Sequence, residues 1–71
     1  MKKREIKFVR YINEDMDLEL IITERGYTLR TLDTKEVIDK EKGKFEEKWV
    51  LEWVWFLTYT HPKSWEKGDS Q

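Results

Sequence analysis

Hydrophobic and polar residues alternate with a period of two through the first third of the chain. One such run covers 6–12, and a second covers 18–23, where Leu18, Leu20 and Ile22 share one side. This alternation is typical of strands that bury one face and expose the other. The polar stretch 13–17 between the two runs predicts a turn, since Asn and Asp readily bond their own backbone.

Turn residues then divide the chain at short intervals. Gly26 can adopt positive φ and predicts a tight hairpin that leads into a third strand at 27–31. A turn at 33–34 precedes a short fourth strand marked by residues 37–38, and 41–44 forms the next turn. Short strands separated by short turns indicate an antiparallel meander.

Residues 45–60 fit two periods and contain three of the four tryptophans. With period two, the second face of the segment consists of Val50, Glu52, Val54, Phe56, Thr58 and Thr60. With helical spacing, a stripe runs through Phe45, Trp49, Trp53 and Phe56. No Ser, Thr, Asp or Asn immediately precedes Phe45 to cap such a helix, so we favour a strand and keep the helix as the alternative.

These patterns predict a mainly β fold, a single small antiparallel meander or barrel-like sheet of about five strands. The alternative is an α+β fold in which a helix at about 45–59 packs on a four-strand antiparallel sheet. Either fold is expected to place the tryptophans of 45–60 in the core. The domain is expected to cover 1–62, and the polar residues 63–71 are expected to form a flexible tail. Trp65 in that tail either folds back over the core or anchors a partner.

Composition restricts the class of protein. The chain has 71 residues, no cysteine and ten aromatic residues, so a single thin core without disulfides is expected to depend on large side chains. Charged residues make up 41% of the chain, yet the net charge is −1, which argues against a dedicated polyanion binder. Neither a signal-peptide core nor a membrane-spanning apolar stretch is evident, so we expect a cytoplasmic protein.

The residues offer little catalytic chemistry. The two serines lie in the expected tail, and His61 stands beside Pro62, where a surface or capping role is expected. The three glycines are isolated, so no phosphate-binding loop is predicted. We therefore expect no enzyme activity, no metal and no cofactor.

Recognition of another protein is the leading functional hypothesis. A small regulator or inhibitor, encoded by a phage or mobile element, would occupy a partner surface through Val50, Glu52, Val54, Phe56 and Trp65. One alternative is a homodimeric accessory protein that uses the same face. The other is a single-strand nucleic-acid binder that uses Lys7, Arg10, Tyr11, Arg25, Tyr27 and Arg30, although the sequence pI near 5.8 opposes it.

Overall fold

The computed structural model describes residues 8–70, which form one five-stranded antiparallel sheet and one α-helix. The elements are β1 (Phe8–Asn13), β2 (Leu18–Thr23), β3 (Gly26–Thr31), β4 (Val37–Lys42), α1 (Glu47–Thr58) and β5 (Glu66–Ser70). The strand order is β4-β3-β2-β1-β5, and β4 and β5 are open edges. The predicted mainly β fold with about five strands is confirmed, as an open sheet and not a closed barrel.

Two turns at one end of the sheet are tied together. Asp17 ends the β1–β2 turn with φ 57°, a left-handed conformation that aspartate tolerates better than most residues. Its carbonyl oxygen accepts the Leu32 amide at 2.9 Å, and its carboxylate accepts the Asp33 amide at 3.2 Å. The polar stretch predicted as a turn therefore also anchors the loop after β3.

The interpretation of 45–60 as a strand is wrong, and the alternative helix is present. The meander leaves one apolar sheet face, built on Leu18, Leu20 and Leu29, which a further strand beside it would not cover. A helix covers that face because Val50 and Val54, one turn apart, both point towards it. Glu46 makes no side-chain cap, so tertiary packing and not local capping holds the helix start.

The fifth strand comes from the segment expected to be a flexible tail. Pro62–Ser64 form a short 3-10 turn, and β5 then pairs antiparallel with β1. Trp65, between them, is 7% exposed and belongs to the core cluster. Its indole Nε1 donates to the Thr60 hydroxyl at 3.2 Å. The expectation that Trp65 folds back over the core is confirmed. Residues 66–70 differ from the predicted flexible tail because the buried Trp65 leads the chain back to the sheet.

The core lies between α1 and one face of the sheet. It consists of Leu18, Leu20, Ile22, Tyr27, Leu29, Val50, Val54 and Trp65. The other three tryptophans, Trp49, Trp53 and Trp55, are between 36% and 49% exposed. The prediction that the tryptophans of 45–60 form the core is therefore wrong, because the two valines occupy the inner side of the helix.

Candidate protein-binding surface

The orientation of α1 is fixed by its inner side. Val50 and Val54 are fully buried. At the helix start, the Tyr11 hydroxyl donates to Glu47 Oε1 at 2.5 Å, and Lys67 Nζ lies 3.7 Å from the same oxygen. Burial of Tyr11, together with this bond to a carboxylate, raises the pKa of its hydroxyl to about 12. These contacts leave the remaining sides of α1 facing solvent.

The outward side of α1 carries a row of stacked rings. Phe45 and Trp49 stack with centroids 5.2 Å apart, Trp49 and Trp53 at 6.1 Å, and Trp53 and Phe56 at 5.9 Å. The interplanar angles of these three pairs are 12°, 9° and 25°. Tyr27 meets Phe45 edge-on at 5.4 Å, which joins the row to the core. The row therefore extends from the core to the outermost side of the helix.

Asp39 on β4 fixes the middle of this row. Its Oδ2 accepts both the Tyr27 hydroxyl at 2.8 Å and the Trp53 indole Nε1 at 3.2 Å. Burial of Tyr27 and the bond to this carboxylate raise the pKa of Tyr27 to about 12. The rings before Phe56 are thus held in place, whereas Phe56 itself is 74% exposed.

Tyr59, which follows the helix, has an unusual backbone and a highly exposed side chain. Its φ of 59° is left-handed, a conformation that is rare for bulky residues and usually left to glycine at helix ends. The side chain is 91% exposed, so packing in the chain gives no reason for a tyrosine at this position. With Phe56 and Trp55 it borders a shallow apolar groove that also includes Glu52 and Leu57.

We call the exposed rings of this region the aromatic face: Trp49, Trp53, Trp55, Phe56 and Tyr59. Among the residues predicted to bind a partner, Phe56 and Glu52 are exposed here. Val50, Val54 and Trp65 are buried in the core and cannot contact a partner in this fold. Sequence reasoning missed the three tryptophans because it assigned them to the core, and it also missed Tyr59 beside Phe56. The helical stripe was the signal that identified the row.

The opposite face of the sheet is organised around a buried carboxylate. Glu19 is 1% exposed, and Arg10, Arg30 and Lys35 all contact its oxygens. Arg30 Nε lies 2.5 Å from Oε1, Lys35 Nζ lies 3.2 Å from Oε1, and Arg10 Nε donates to Oε2. Burial alone would raise the pKa of Glu19, but the bonds from Arg30, Arg10 and Lys35 outweigh it and hold the pKa below its usual value.

The residues predicted to bind nucleic acid do not share one face. Strand alternation places Arg10 and Arg30 beside Glu19 on the face away from α1. Tyr11 and Tyr27 lie on the face covered by α1. Arg25 is in the β2–β3 turn, and Lys7 lies outside the described residues. The aromatic and basic side chains that would stack on and neutralise a single strand are therefore separated by the sheet.

His61 performs a local structural task. Its Nδ1 accepts the Lys63 amide at 3.0 Å and caps the 3-10 turn, which confirms the predicted capping role. The Ser64 hydroxyl donates to the His61 carbonyl oxygen at 2.6 Å and not to the imidazole. Within residues 8–70, no group of three or more His, Asp or Glu side chains is arranged to hold a metal ion. In the same part of the chain, no helix is long and apolar enough to span a bilayer.

Comparison with protein-family models, curated proteins and solved structures found no match for this chain. The aromatic face is the feature of this surface that packing within the chain does not explain.

Proposed function

We propose that this protein is a small, non-enzymatic protein-binding module, a regulator or inhibitor that occupies a partner surface with the aromatic face of α1. The observation that supports this most strongly is the exposure of five aromatic side chains on and just after one helix. Tyr, Trp and Phe are enriched at the centres of protein interfaces and carry much of the binding energy there.

The size of the aromatic face suits an interface. The exposed fractions of its five rings run from 36% to 91%. With roughly 200 Å² per aromatic side chain, they amount to about 600 Å². The largest apolar patch on a typical monomer measures about 300–600 Å², so this face is at the upper limit for a small chain. It is about a tenth of the total surface of 5581 Å², the share that a standard interface takes from a small protein.

The left-handed backbone and exposed ring of Tyr59 also support the proposal. A left-handed residue other than glycine costs about 1 kcal/mol, and its exposed ring recovers little of this by packing within the chain. A side chain that lowers the stability of the fold and projects into solvent beside Phe56 is suited to contact another molecule. Tyrosine is well suited to this because it has few rotatable bonds to immobilise on binding.

The shape of the face indicates how a partner would cover it. Trp55 and Leu57 each lie about 100° from Phe56 around the helix, on either side of it, so the three side chains span about 200°. Exposed apolar side chains therefore cover a broad arc of the helix. A partner that covers both flanks needs an apolar cleft, the arrangement in which a helix lies in a groove.

A photo-crosslinking residue placed at Phe56 tests the proposal. In host cells, irradiation is expected to link the chain to one discrete partner protein, identified by mass spectrometry. A crosslinker at Val37 is the matched control, because Val37 is 51% exposed but pairs with Arg30 on the opposite face of the sheet. The same products from both positions, or no heterologous product from Phe56, would contradict the proposal.

Binding of single-stranded nucleic acid is the second candidate. The observation that favours it is the group of three cations around one carboxylate on the face away from α1, a local excess of positive charge. Fluorescence anisotropy with a labelled oligonucleotide at low salt tests it, since such binding must weaken as salt rises. A cytoplasmic location and a phage or mobile-element origin stay predictions.

A further inference from the structure

We infer that, when no partner is bound, two copies of this chain cover the aromatic face by pairing their α1 helices in a weak two-fold dimer. This inference rests on the proposed function in one respect: the same face binds the partner, so dimerisation and partner binding compete. The dimer would act as a built-in regulator that keeps the face covered until a better-fitting surface is available.

In such a dimer the two copies touch through the outer ridge of the aromatic face, which consists of Trp49, Trp53, Phe56 and Tyr59. Two packed helices touch along one side of each, so Trp55 and Leu57, each about 100° around the helix from Phe56, stay outside the contact. The exposed fractions of the four ridge residues are 49%, 36%, 74% and 91%. At roughly 200 Å² per ring, they amount to about 500 Å² per copy.

This area sets the expected strength. Two ridges bury about 1,000 Å² in total, just below the 1,200–2,000 Å² of standard stable interfaces. A dimer of this size is weak and exchanges readily, with an expected dissociation constant of about 1–100 µM. A partner cleft that also covers Trp55 and Leu57 buries more apolar area, so it displaces the second copy by mass action.

The rings favour an antiparallel pairing. With the two-fold axis near Glu52 and Trp53, Phe56 of each copy lies opposite Trp49 of the other, so ring meets ring at both ends of the ridge.

Sedimentation velocity on the full chain, from about 1 to 200 µM, tests the inference over this affinity range. The wild-type chain is expected to shift from monomer to dimer with rising concentration. Phe56→Glu should weaken the dimer by well over about 30-fold, the effect of losing one interface hot spot, because both copies carry the substitution. Val37→Glu, which introduces the same charge on the opposite face, should dimerise like the wild type. Circular dichroism confirms that both variants fold.

Tyr59→Gly separates binding from folding. Glycine relieves the left-handed backbone, so the melting temperature of the dilute monomer should not fall, whereas the dimer should weaken at least about 10-fold. A wild-type chain that stays monomeric up to about 200 µM would overturn the inference. So would a dimer that Val37→Glu disrupts as strongly as Phe56→Glu. Either result leaves the crosslinking test of partner binding intact, and failed partner capture leaves the dimer intact.

Discussion

Removing the charge of the buried Glu19 carboxylate is expected to lower the free energy of unfolding. Glu19→Gln keeps the shape of the side chain but removes the charge that Arg10, Arg30 and Lys35 share. Breaking a fully buried ion pair costs about 3–5 kcal/mol, whereas a surface pair contributes less than about 1 kcal/mol. The Arg10 and Arg30 side chains are 26% and 30% exposed, so water stabilises them in part. We therefore expect a loss of about 2–3 kcal/mol, between these two limits.

This loss is large for a small domain. A chain of 71 residues has a free energy of unfolding of about 4–10 kcal/mol, so the substitution removes a fifth or more of it. In a domain of this size each kcal/mol shifts the melting temperature by about 4–8 °C, so Glu19→Gln should melt about 10–20 °C lower. Glu24→Gln, the same change at an exposed turn position, should melt within a few degrees of the wild type.

The acid dependence follows from the direction of the pKa shift. The pKa of Glu19 is lower in the folded chain than in the unfolded one, because three cations hold the charged form despite its burial. Its contribution is therefore complete above the unfolded pKa, about 4.3, and is lost as the pH falls below that value through the folded pKa. In Glu19→Gln, this part of the decrease in the free energy of unfolding at acid pH should be absent.

Urea unfolding at pH 7, 4 and 3 measures these effects, with the buried Trp65 as a fluorescent reporter. The wild-type advantage over Glu19→Gln should shrink at each lower pH. A difference between the two proteins of less than about 0.5 kcal/mol at pH 7, or one that does not change with pH, would refute this role of Glu19.

Three further predictions test the packing. Gly26→Ala should unfold the chain at least in part, because a Cβ there would lie 2.1 Å from the Glu41 carbonyl oxygen at φ 149°; circular dichroism at 25 °C checks this. Val54→Ala should cost about 2 kcal/mol in urea unfolding, since the side chain is fully buried under α1, and a change below about 0.5 kcal/mol would contradict that burial. Tyr27 should ionise near pH 12, and Tyr27→Phe should reduce the absorbance change at 295 nm but not abolish it, since the pKa of Tyr11 is also about 12. Because the folded pKa of Tyr27 is raised, its contribution to stability is complete below pH 10 and is lost as the pH rises through about 12.

The meander was predictable because each strand carries its own signal. The alternation at Leu18, Leu20 and Ile22 fixed the buried face of β2, and Gly26 marked the hairpin that follows it. These signals are local, so they do not depend on what covers the sheet. The sequence predicted this part of the fold with nearly correct bounds.

The helix and the fifth strand were harder to predict because tertiary packing decides them. In 45–60, large rings fit both the strand period and the helix period. The absence of a capping side chain argued against a helix, but packing on the sheet stabilises one. The small side chains of Val50 and Val54 form the inner side, while the larger rings face outwards, the reverse of the usual expectation for tryptophan. β5 has little apolar content, and Trp65 is the one local signal for its return to the sheet.

The candidate site was predicted only in part for the same reason. Phe56 and Glu52 are exposed as expected, but Val50 and Val54 exchanged roles with the neighbouring tryptophans once the segment formed a helix. A change from period two to period 3.6 redistributes side chains between the inner and outer sides. The functional hypothesis of a protein-binding module stays a proposal, now assigned to a different set of rings.

Exposure of the tryptophans tests the central claim most directly. In the Phe56→Glu variant labelled with 5-fluorotryptophan, each of the four indoles gives a ¹⁹F resonance, assigned by single Trp→Phe substitutions. A soluble gadolinium chelate should relax Trp49, Trp53 and Trp55 strongly and Trp65 weakly, in line with their exposed fractions of 49%, 36%, 43% and 7%. If the three helix tryptophans are as protected as Trp65, they form the core and α1 has no aromatic face with which to bind a partner.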